Sequence, residues 1–278
     1  KWAGAWRQRL ALGAAAVTAR QAGRIEAEAA RRDTFAFSGP QDGLSGSTTL
    51  GPAGSMLLAW RGLATRPTEE LLTAKNLAAV AEAFGYARDD AAVGELADEL
   101  RRLAASAGTV RPLTGAIAAA DRHGFRGVFG CWLADALLAQ FLGWPHAVPL
   151  LGTEAAWSAR AASRRRDLEP GTQASEMQVD RAKSLLAAQA RAALRAVDLS
   201  AELGRRAEKL LAVAPKLRAK GAAAIVARLL DEDALVVSRG DKTTGMSDRA
   251  LRRLFDRLME LGAARELSGR PTFRIYGL

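Results

Sequence analysis

The chain has 278 residues and a formal net charge of +10, and it is rich in alanine, leucine and arginine. Few residues are aromatic and β-branched residues rarely alternate, which favours a mainly helical protein. The single cysteine, Cys131, excludes an internal disulfide framework and is consistent with a cytoplasmic location.

The positive charge is concentrated in the second part of the chain. Residues 1–157 contain 16 Lys and Arg against 15 Asp and Glu, a net of +1, whereas residues 158–278 contain 24 against 15, a net of +9. Such an uneven distribution indicates that the C-terminal part faces a polyanion. Nucleic acid is the favoured partner, ahead of an acidic protein or a membrane surface.

Helical periodicity predicts a multi-helix domain over residues 1–170. One or two helices are expected between residues 2 and 30, followed by a loop rich in Gly, Ser, Thr and Pro at 35–54. Further helices are predicted at 52–64, 67–84, 89–105, 112–122 and 128–142, and from residue 153 onwards. In the helix that starts at Pro67, Thr68 is a candidate N-cap.

The C-terminal part is predicted to contain a helical connector, 171–214, and a winged-helix-like domain, 215–278. Two long helices in 174–214 are expected to break near Asp198, where Ser200 could cap the second one. The last domain should contain a helix at 216–230, a strand at 235–237, and a helix at 247–261 that Gly262 ends. A small β-hairpin then joins 265–267 to 272–276 through a turn at Gly269. The predicted fold class is therefore mainly α, with a C-terminal winged-helix-like unit.

The helix at 247–261 has an apolar stripe on one side and arginines on the other. Arginine contacts phosphates and is the side chain that most often recognises guanine in the major groove. We therefore expect the helix to enter the major groove and the hairpin to contact the DNA backbone. The candidate DNA-binding residues are Arg249, Arg252, Arg253, Arg257, Arg270 and Arg274. The alternative is a solvated face on which Asp248, Asp256 and Glu260 pair with these arginines.

The most apolar segment, 127–144, contains Asp135 and Gln140, so we interpret it as a buried core helix and predict no membrane partner. Asp135 is expected to pair with an arginine in the core or to line a pocket.

Cys131 and His123 match no cysteine-hydrolase pattern, and two histidines in the chain make a His-rich metal site improbable. No catalytic, cofactor or metal residue is predicted. The remaining aromatic candidates, interpreted as core anchors, are Trp132, Trp144 and Trp157.

The segment LRRLFDRLMELGAARELSGRPTFRIYGL, residues 251–278, resembles the winged-helix tails of several bacterial families. One of these tails is appended to some Fic-type AMP-transferases. The Fic catalytic motif, a His-Pro-Phe run followed by Gly-Asn-Gly-Arg, is absent, so that activity is not implied. The usual module also has a helix before the recognition helix, whereas residues 233–246 form a poor helical pattern.

Nearly the whole chain resembles an uncharacterised proteobacterial family of unknown function that is often plasmid-encoded. The resemblance rests on residues 2–12, 51–64, 132–151 and the tail. It implies a fold and no activity.

The leading hypothesis is a non-enzymatic DNA-binding protein, either a regulator or a plasmid-associated factor. Its helical domain would form a homodimer, bind a protein partner or sense a ligand. The alternative is a helical protein-interaction module without DNA binding. A third hypothesis is an enzyme with a pocket near Asp135 and Trp132.

Overall fold

The computed structural model of the protein describes residues 1–23, 51–106, 108, 110–125, 127–154, 174–236, 245–269 and 274–278, without the side chains of 174–178. Helices dominate these residues, and a small antiparallel sheet lies near the C-terminal end of the chain. The predicted mainly α fold with a small C-terminal β element is therefore confirmed.

The helices are α1 (Ala3–Gln21), α2 (Gly51–Thr65), α3 (Thr68–Leu71), α4 (Ala74–Ala83), α5 (Asp90–Ala104), α6 (Val110–Arg122), α7 (Val128–Phe141), α8 (Ala174–Val213), α9 (Ala222–Asp231) and α10 (Asp248–Glu260). The strands are β1 (Leu235–Val236), β2 (Arg265–Glu266) and β3 (Ile275–Gly277). Single turns of 3-10 helix cover Leu151–Glu154 and Ala214–Lys216.

The described residues divide into two compact units. The C-terminal unit contains Lys1–Arg9 and Val197–Leu278, and the helical unit contains residues 10–23 and the described residues from 51 to 196. The first nine residues are therefore grouped with the C-terminal part of the chain.

The core of the helical unit is organised around two fully buried tryptophans, Trp60 and Trp132. Their indole N–H groups donate hydrogen bonds to Thr18 Oγ1 at 2.9 Å and to the Ala59 carbonyl at 3.0 Å. Each buried indole N–H therefore has a hydrogen-bond acceptor, which a buried tryptophan usually needs. Trp132 is thus a core anchor as predicted, whereas Trp144 is 36% exposed and does not anchor the core. Trp157 lies outside the described residues.

The C-terminal unit contains a three-stranded antiparallel sheet in the order β1-β3-β2. The central strand aligns Tyr276 with Leu235 of β1 on one side and with Glu266 of β2 on the other. A hydrogen bond from the Leu267 N–H to the Ile275 carbonyl, 2.8 Å long, extends the pairing beyond β2. Residue 237 of the predicted first strand and residues 270–273 of the predicted hairpin lie outside the described residues.

Three predictions about helix boundaries are wrong, and the long helix α8 is the first. It runs without a break through Asp198 and Ser200, where two helices were expected. Neither residue is a proline or a glycine, the two residue types that most destabilise the interior of a helix. Leu199 packs against the core of the C-terminal unit, as does the fully buried Leu203 four residues later, so the apolar pattern continues through the expected break.

The second wrong prediction is a single helix over 67–84 capped by Thr68. The chain forms α3 and α4 instead, and Thr73 is the side-chain cap, accepting a 3.4 Å hydrogen bond from the Asn76 N–H. The buried Thr68 hydroxyl donates to the Trp144 carbonyl at 2.6 Å, so a tertiary contact replaces the expected capping bond.

The third wrong boundary is the start of the helix expected at residue 216. Helix α9 begins six residues later, at Ala222, after Gly221 with a φ of +90°. A left-handed conformation of this kind is accessible to glycine at little cost and separates the helix from the preceding 3-10 turn. Residues 35–50 of the loop expected at 35–54 lie outside the described residues, and residues 51–54 already belong to α2. Of the helix expected from residue 153, only residues 153 and 154 are described, and they belong to the 3-10 turn Leu151–Glu154.

In the part of the chain that the structure describes, no helix combines the length and the apolar character that a membrane crossing demands.

Candidate nucleic-acid interface

Helix α10 has a defined beginning and end. The Ser247 hydroxyl accepts a hydrogen bond from the Ala250 N–H at 3.4 Å, which satisfies one of the free donors of the first turn. At the other end, Gly262 adopts a φ of +64°, and the N–H of Ala263 donates to the Leu258 carbonyl at 2.8 Å. This is a Schellman ending, which fixes where the chain leaves the helix.

One face of α10 is buried against the C-terminal unit. It consists of Leu251, Leu254, Phe255 and Leu258, which recur at the spacing of one side of a helix. Phe255 stacks on Tyr276, with ring centroids 4.5 Å apart and an interplanar angle of 18°. Because Tyr276 belongs to the central strand β3, this stack attaches α10 directly to the sheet.

The opposite face of α10 presents arginines to solvent. Arg249, Arg252 and Arg253 are exposed, and within the described residues no carboxylate forms an ion pair with any of them. Arg257 differs, since its Nη1 lies 2.9 Å from Glu260 Oε2. Of the ion pairs predicted on this face, the one between Arg257 and Glu260 is present. The other three arginines are available to contact a ligand.

The hairpin arginines are arranged differently from those on α10. Arg274 lies beside Tyr276, and a hydrogen bond between the two side chains raises the pKa of the guanidinium. Its Nε is also 3.9 Å from Glu266 Oε2, so nearby protein groups partly satisfy this cation. Arg270, the second hairpin candidate, lies outside the described residues.

The first nine residues form contacts within the C-terminal unit. Arg9 forms an ion pair with the fully buried Asp233, immediately before β1. The Gln8 side chain donates to the Asp231 carbonyl at 3.1 Å. Gly4 lies so close to Asp231 that a Cβ would approach its carbonyl oxygen to 2.6 Å. Sequence reasoning missed these contacts, because the partners are more than 220 residues apart in the chain.

Sequence reasoning also missed a basic segment between α8 and α9. Lys216, Arg218 and Lys220 are all exposed in the turn that leads to Gly221. Their alternation in the segment PKLRAKG was a usable signal, because three like charges within five residues rarely serve packing.

The residues considered for a catalytic pocket are part of the core of the helical unit. Asp135 is 1% exposed, and its Oδ1 and Oδ2 accept hydrogen bonds from the N–H groups of Leu151 at 2.9 Å and Gly152 at 3.2 Å. Burial raises the pKa of Asp135 to about 8, against the opposing effect of these bonds. These partners are backbone groups, so of the two expectations for Asp135, an arginine partner or a place in a pocket wall, the structure does not show the first among the described residues.

Cys131 and His123 have separate environments. Burial raises the pKa of the Cys131 thiol, and the nearby Asp135 raises it further, so the thiolate form is disfavoured. His123 Nε2 lies 3.0 Å from Glu99 Oε2. Burial alone would raise the pKa of Glu99, but hydrogen bonds from Arg122 and His123 outweigh it and lower that pKa.

No group of His, Cys, Asp and Glu in the described ranges is arranged to hold a metal ion.

Comparison with known families gives one match, which covers residues 1–278. The matching family is described as Protein of unknown function (DUF1403). The chain matches no curated protein and no solved structure.

Proposed function

We propose that this chain, which belongs to the DUF1403 family, binds duplex DNA through the arginine face of α10 and catalyses no reaction. The observation that supports this proposal most strongly is the set of three exposed arginines on one side of α10, none of which has an acidic partner among the described residues. A guanidinium group without an ion-pair partner can bind a phosphate or a base edge without first losing an interaction within the protein.

The rigid mounting of α10 supports the same proposal. An α-helix with its side chains is about 10–12 Å wide and fits the major groove, which is about 12 Å wide. The buried stripe and the stack of Phe255 on Tyr276 hold the opposite side of the helix against the sheet. Docking would therefore bring the arginines to the DNA without reorganisation of the protein.

We also propose that the C-terminal unit is a winged helix, and the order of its strands supports this assignment. The hairpin of β2 and β3 follows the candidate recognition helix, and β3 pairs with both β1 and β2. In this docking, Arg274 and Arg270 would approach the DNA backbone from the hairpin. The exposed cations Lys216, Arg218 and Lys220 offer further phosphate contacts in the same unit. A cytoplasmic regulator or a plasmid-associated factor is the role that such binding fits.

The test is fluorescence anisotropy of labelled random-sequence duplex DNA with the full chain across a salt series. We expect the logarithm of the binding constant to fall linearly with the logarithm of salt concentration, by about 0.9 per phosphate contact. The double variant Arg252→Ala and Arg253→Ala should weaken binding. If both arginines contact phosphates, the slope should become shallower by about 1.8.

A matched control is the double variant Arg101→Ala and Arg102→Ala, which removes two adjacent exposed arginines from α5. It changes the net charge equally, so it should leave both affinity and slope near those of the wild-type chain. Absence of binding at low salt, or equal losses in both double variants, would overturn the proposed interface. The first result would favour a protein-contact role for the C-terminal unit.

A further inference from the structure

The exposed face of α10 has a basic half and an acidic half. Its first two turns carry the exposed Arg249, Arg252 and Arg253, and its last two carry the exposed Asp256 and Glu260. Along the middle of this face runs one line of residues, spaced by four, three and four positions: Arg249, Arg253, Asp256 and Glu260. A helix that contacted only phosphates would gain nothing from acids in this line, because a polyanion repels them.

The two acids have different surroundings. Glu260 Oε2 lies 2.9 Å from Arg257 Nη1, so the charge of Glu260 is already offset within the helix. Asp256 is exposed and forms no ion pair in the described part of the chain, although Arg252 and Arg253 precede it by four and three residues. Oppositely charged side chains commonly pair at these spacings on a helix. The Asp256 carboxylate is therefore available to contact another molecule.

Asp256 also lies near the hairpin that follows α10. A hydrogen bond with Tyr276 is the main cause of the raised pKa of Arg274, and the negative charges of Glu266 and Asp256 raise it further. This carboxylate is therefore on the side of the helix nearest the hairpin arginine. In the proposed docking, the helix and the hairpin would both meet DNA on that side.

We propose that Asp256 determines base preference by accepting a hydrogen bond from the N4 amino group of a cytosine, in the base pair next to a guanine that Arg253 contacts. This inference rests on the DNA binding proposed above. In the major groove cytosine presents a donor, guanine presents two acceptors, and thymine presents an acceptor and a methyl group. Adenine presents its donor beside the acceptor N7. A carboxylate therefore favours cytosine among the four bases.

The spacing along α10 fits two neighbouring base pairs. Asp256 follows Arg253 by three residues, which is about 4.5 Å along the axis at about 1.5 Å per residue. Successive base pairs are about 3.4 Å apart. Side chains at these two positions therefore reach adjacent pairs when the helix lies along the groove, so the preferred site contains two adjacent G·C pairs.

An acid without an ion-pair partner also disfavours other sequences. Where no cytosine amino group meets Asp256, its negative charge lies near phosphates and base acceptors, which weakens binding. One mismatched base pair commonly reduces affinity by about 5- to 150-fold. Asp256 thus lowers the affinity for random DNA and increases the difference between preferred and other sites.

The test is selection of bound duplexes from a randomised library by the full chain, followed by anisotropy titrations of the enriched duplex. The wild-type chain should enrich two adjacent G·C pairs. Asp256→Asn, which is nearly the same size, should keep the guanine and change the neighbouring preference from cytosine to adenine, because asparagine pairs with N6 and N7 of adenine. Replacing that cytosine with adenine should weaken wild-type binding by about 5- to 150-fold and strengthen binding by Asp256→Asn.

Glu208→Gln is the matched control, since it removes one exposed acid from α8 within the same unit. It changes the net charge equally and should leave the base preference unchanged. Arg253→Ala tests the register: it should lose the guanine preference and keep the cytosine preference. An Arg253→Ala chain that still selects the guanine would overturn the assignment of adjacent pairs.

The outcomes separate this inference from the proposed function. If the wild-type chain binds with the expected salt slope but enriches no sequence, or if Asp256→Asn enriches the wild-type sequences, the role of Asp256 is overturned and DNA binding stands. If the wild-type chain does not bind DNA at low salt, both are overturned.

Discussion

Helices α7 and α10 use ionisable side chains in opposite ways. In α7 only Asp135 is charged, and the side chains around it are buried on every side of the helix. It accepts hydrogen bonds from the backbone N–H groups of Leu151 and Gly152, so this carboxyl group connects two segments of the core. In α10 the apolar residues fill one stripe, and most of the other residues are charged and exposed. A carboxyl group whose hydrogen-bond partners lie in the core serves the fold, whereas Arg249, Arg252 and Arg253, which have no acidic partner among the described residues, are available to bind another molecule.

The largest effect should come from removing the ring that attaches α10 to the sheet. Phe255→Ala removes a 1% exposed side chain and its stack on Tyr276. We expect the free energy of unfolding to fall by about 3–5 kcal/mol, as for other buried phenylalanines. Urea denaturation followed by circular dichroism measures this change.

The comparison variant for Phe255→Ala is Arg253→Ala, two residues earlier on the exposed face. Its unfolding free energy should stay within about 0.5 kcal/mol of the wild type, because Arg253 is exposed and has no ion pair among the described residues. Similar losses in both variants would contradict the assignment of one buried face and one available face.

Asp135 should produce an intermediate, pH-dependent effect. Its pKa in the folded chain is about 8, above about 3.9 for an unfolded aspartate. Between these values the folded state holds a proton that the unfolded state has lost. Its stabilising contribution is therefore fully present below about pH 3.9 and is lost as the pH rises towards 8.

Asp135→Asn provides the reference for this prediction because the amide does not titrate. At about pH 5 it should be less stable than the wild type by about 1–3 kcal/mol, because its NH2 group cannot accept from one of the two backbone N–H groups. Only the wild type loses stability between these pH values, by up to about 1.4 kcal/mol per pH unit. The difference should therefore shrink and then reverse in sign when unfolding is repeated at about pH 8. A constant difference across this range would show that Asp135 does not change its protonation there.

The sequence was sufficient to predict α10, because its stripe, cap and glycine ending are all local signals. Leu251, Leu254 and Leu258 recur at helical spacing, Ser247 precedes them, and Gly262 follows. Arginines between the apolar positions must then lie on the other face. For the same reason, the exposed position of Arg249, Arg252 and Arg253 could be predicted before the structure was known.

Features that depend on distant partners could not be predicted in this way. Asp135 was expected to pair with an arginine or to line a pocket, but it accepts hydrogen bonds from backbone N–H groups, which no side chain in the sequence could indicate. The contact of Arg9 with Asp233 joins opposite ends of the sequence. The continuity of α8 was missed because Asp198 and Ser200 resemble a capping pattern, and only the packing of Leu199 on the core shows that the helix continues.

The smallest effect should come from the cap of α10, and it separates helix stability from arginine contacts. Ser247→Ala removes the hydroxyl that accepts from the Ala250 N–H, and caps of this kind contribute about 1 kcal/mol. Thermal or urea unfolding should show that loss, while the salt slope of DNA binding stays unchanged because no cation is removed. Arg252→Ala with Arg253→Ala should show the reverse pattern. A cap variant with a shallower salt slope would mean that fraying of the first turn displaces the arginines, and that the rigid mounting of α10 on the sheet does not extend to its first turn.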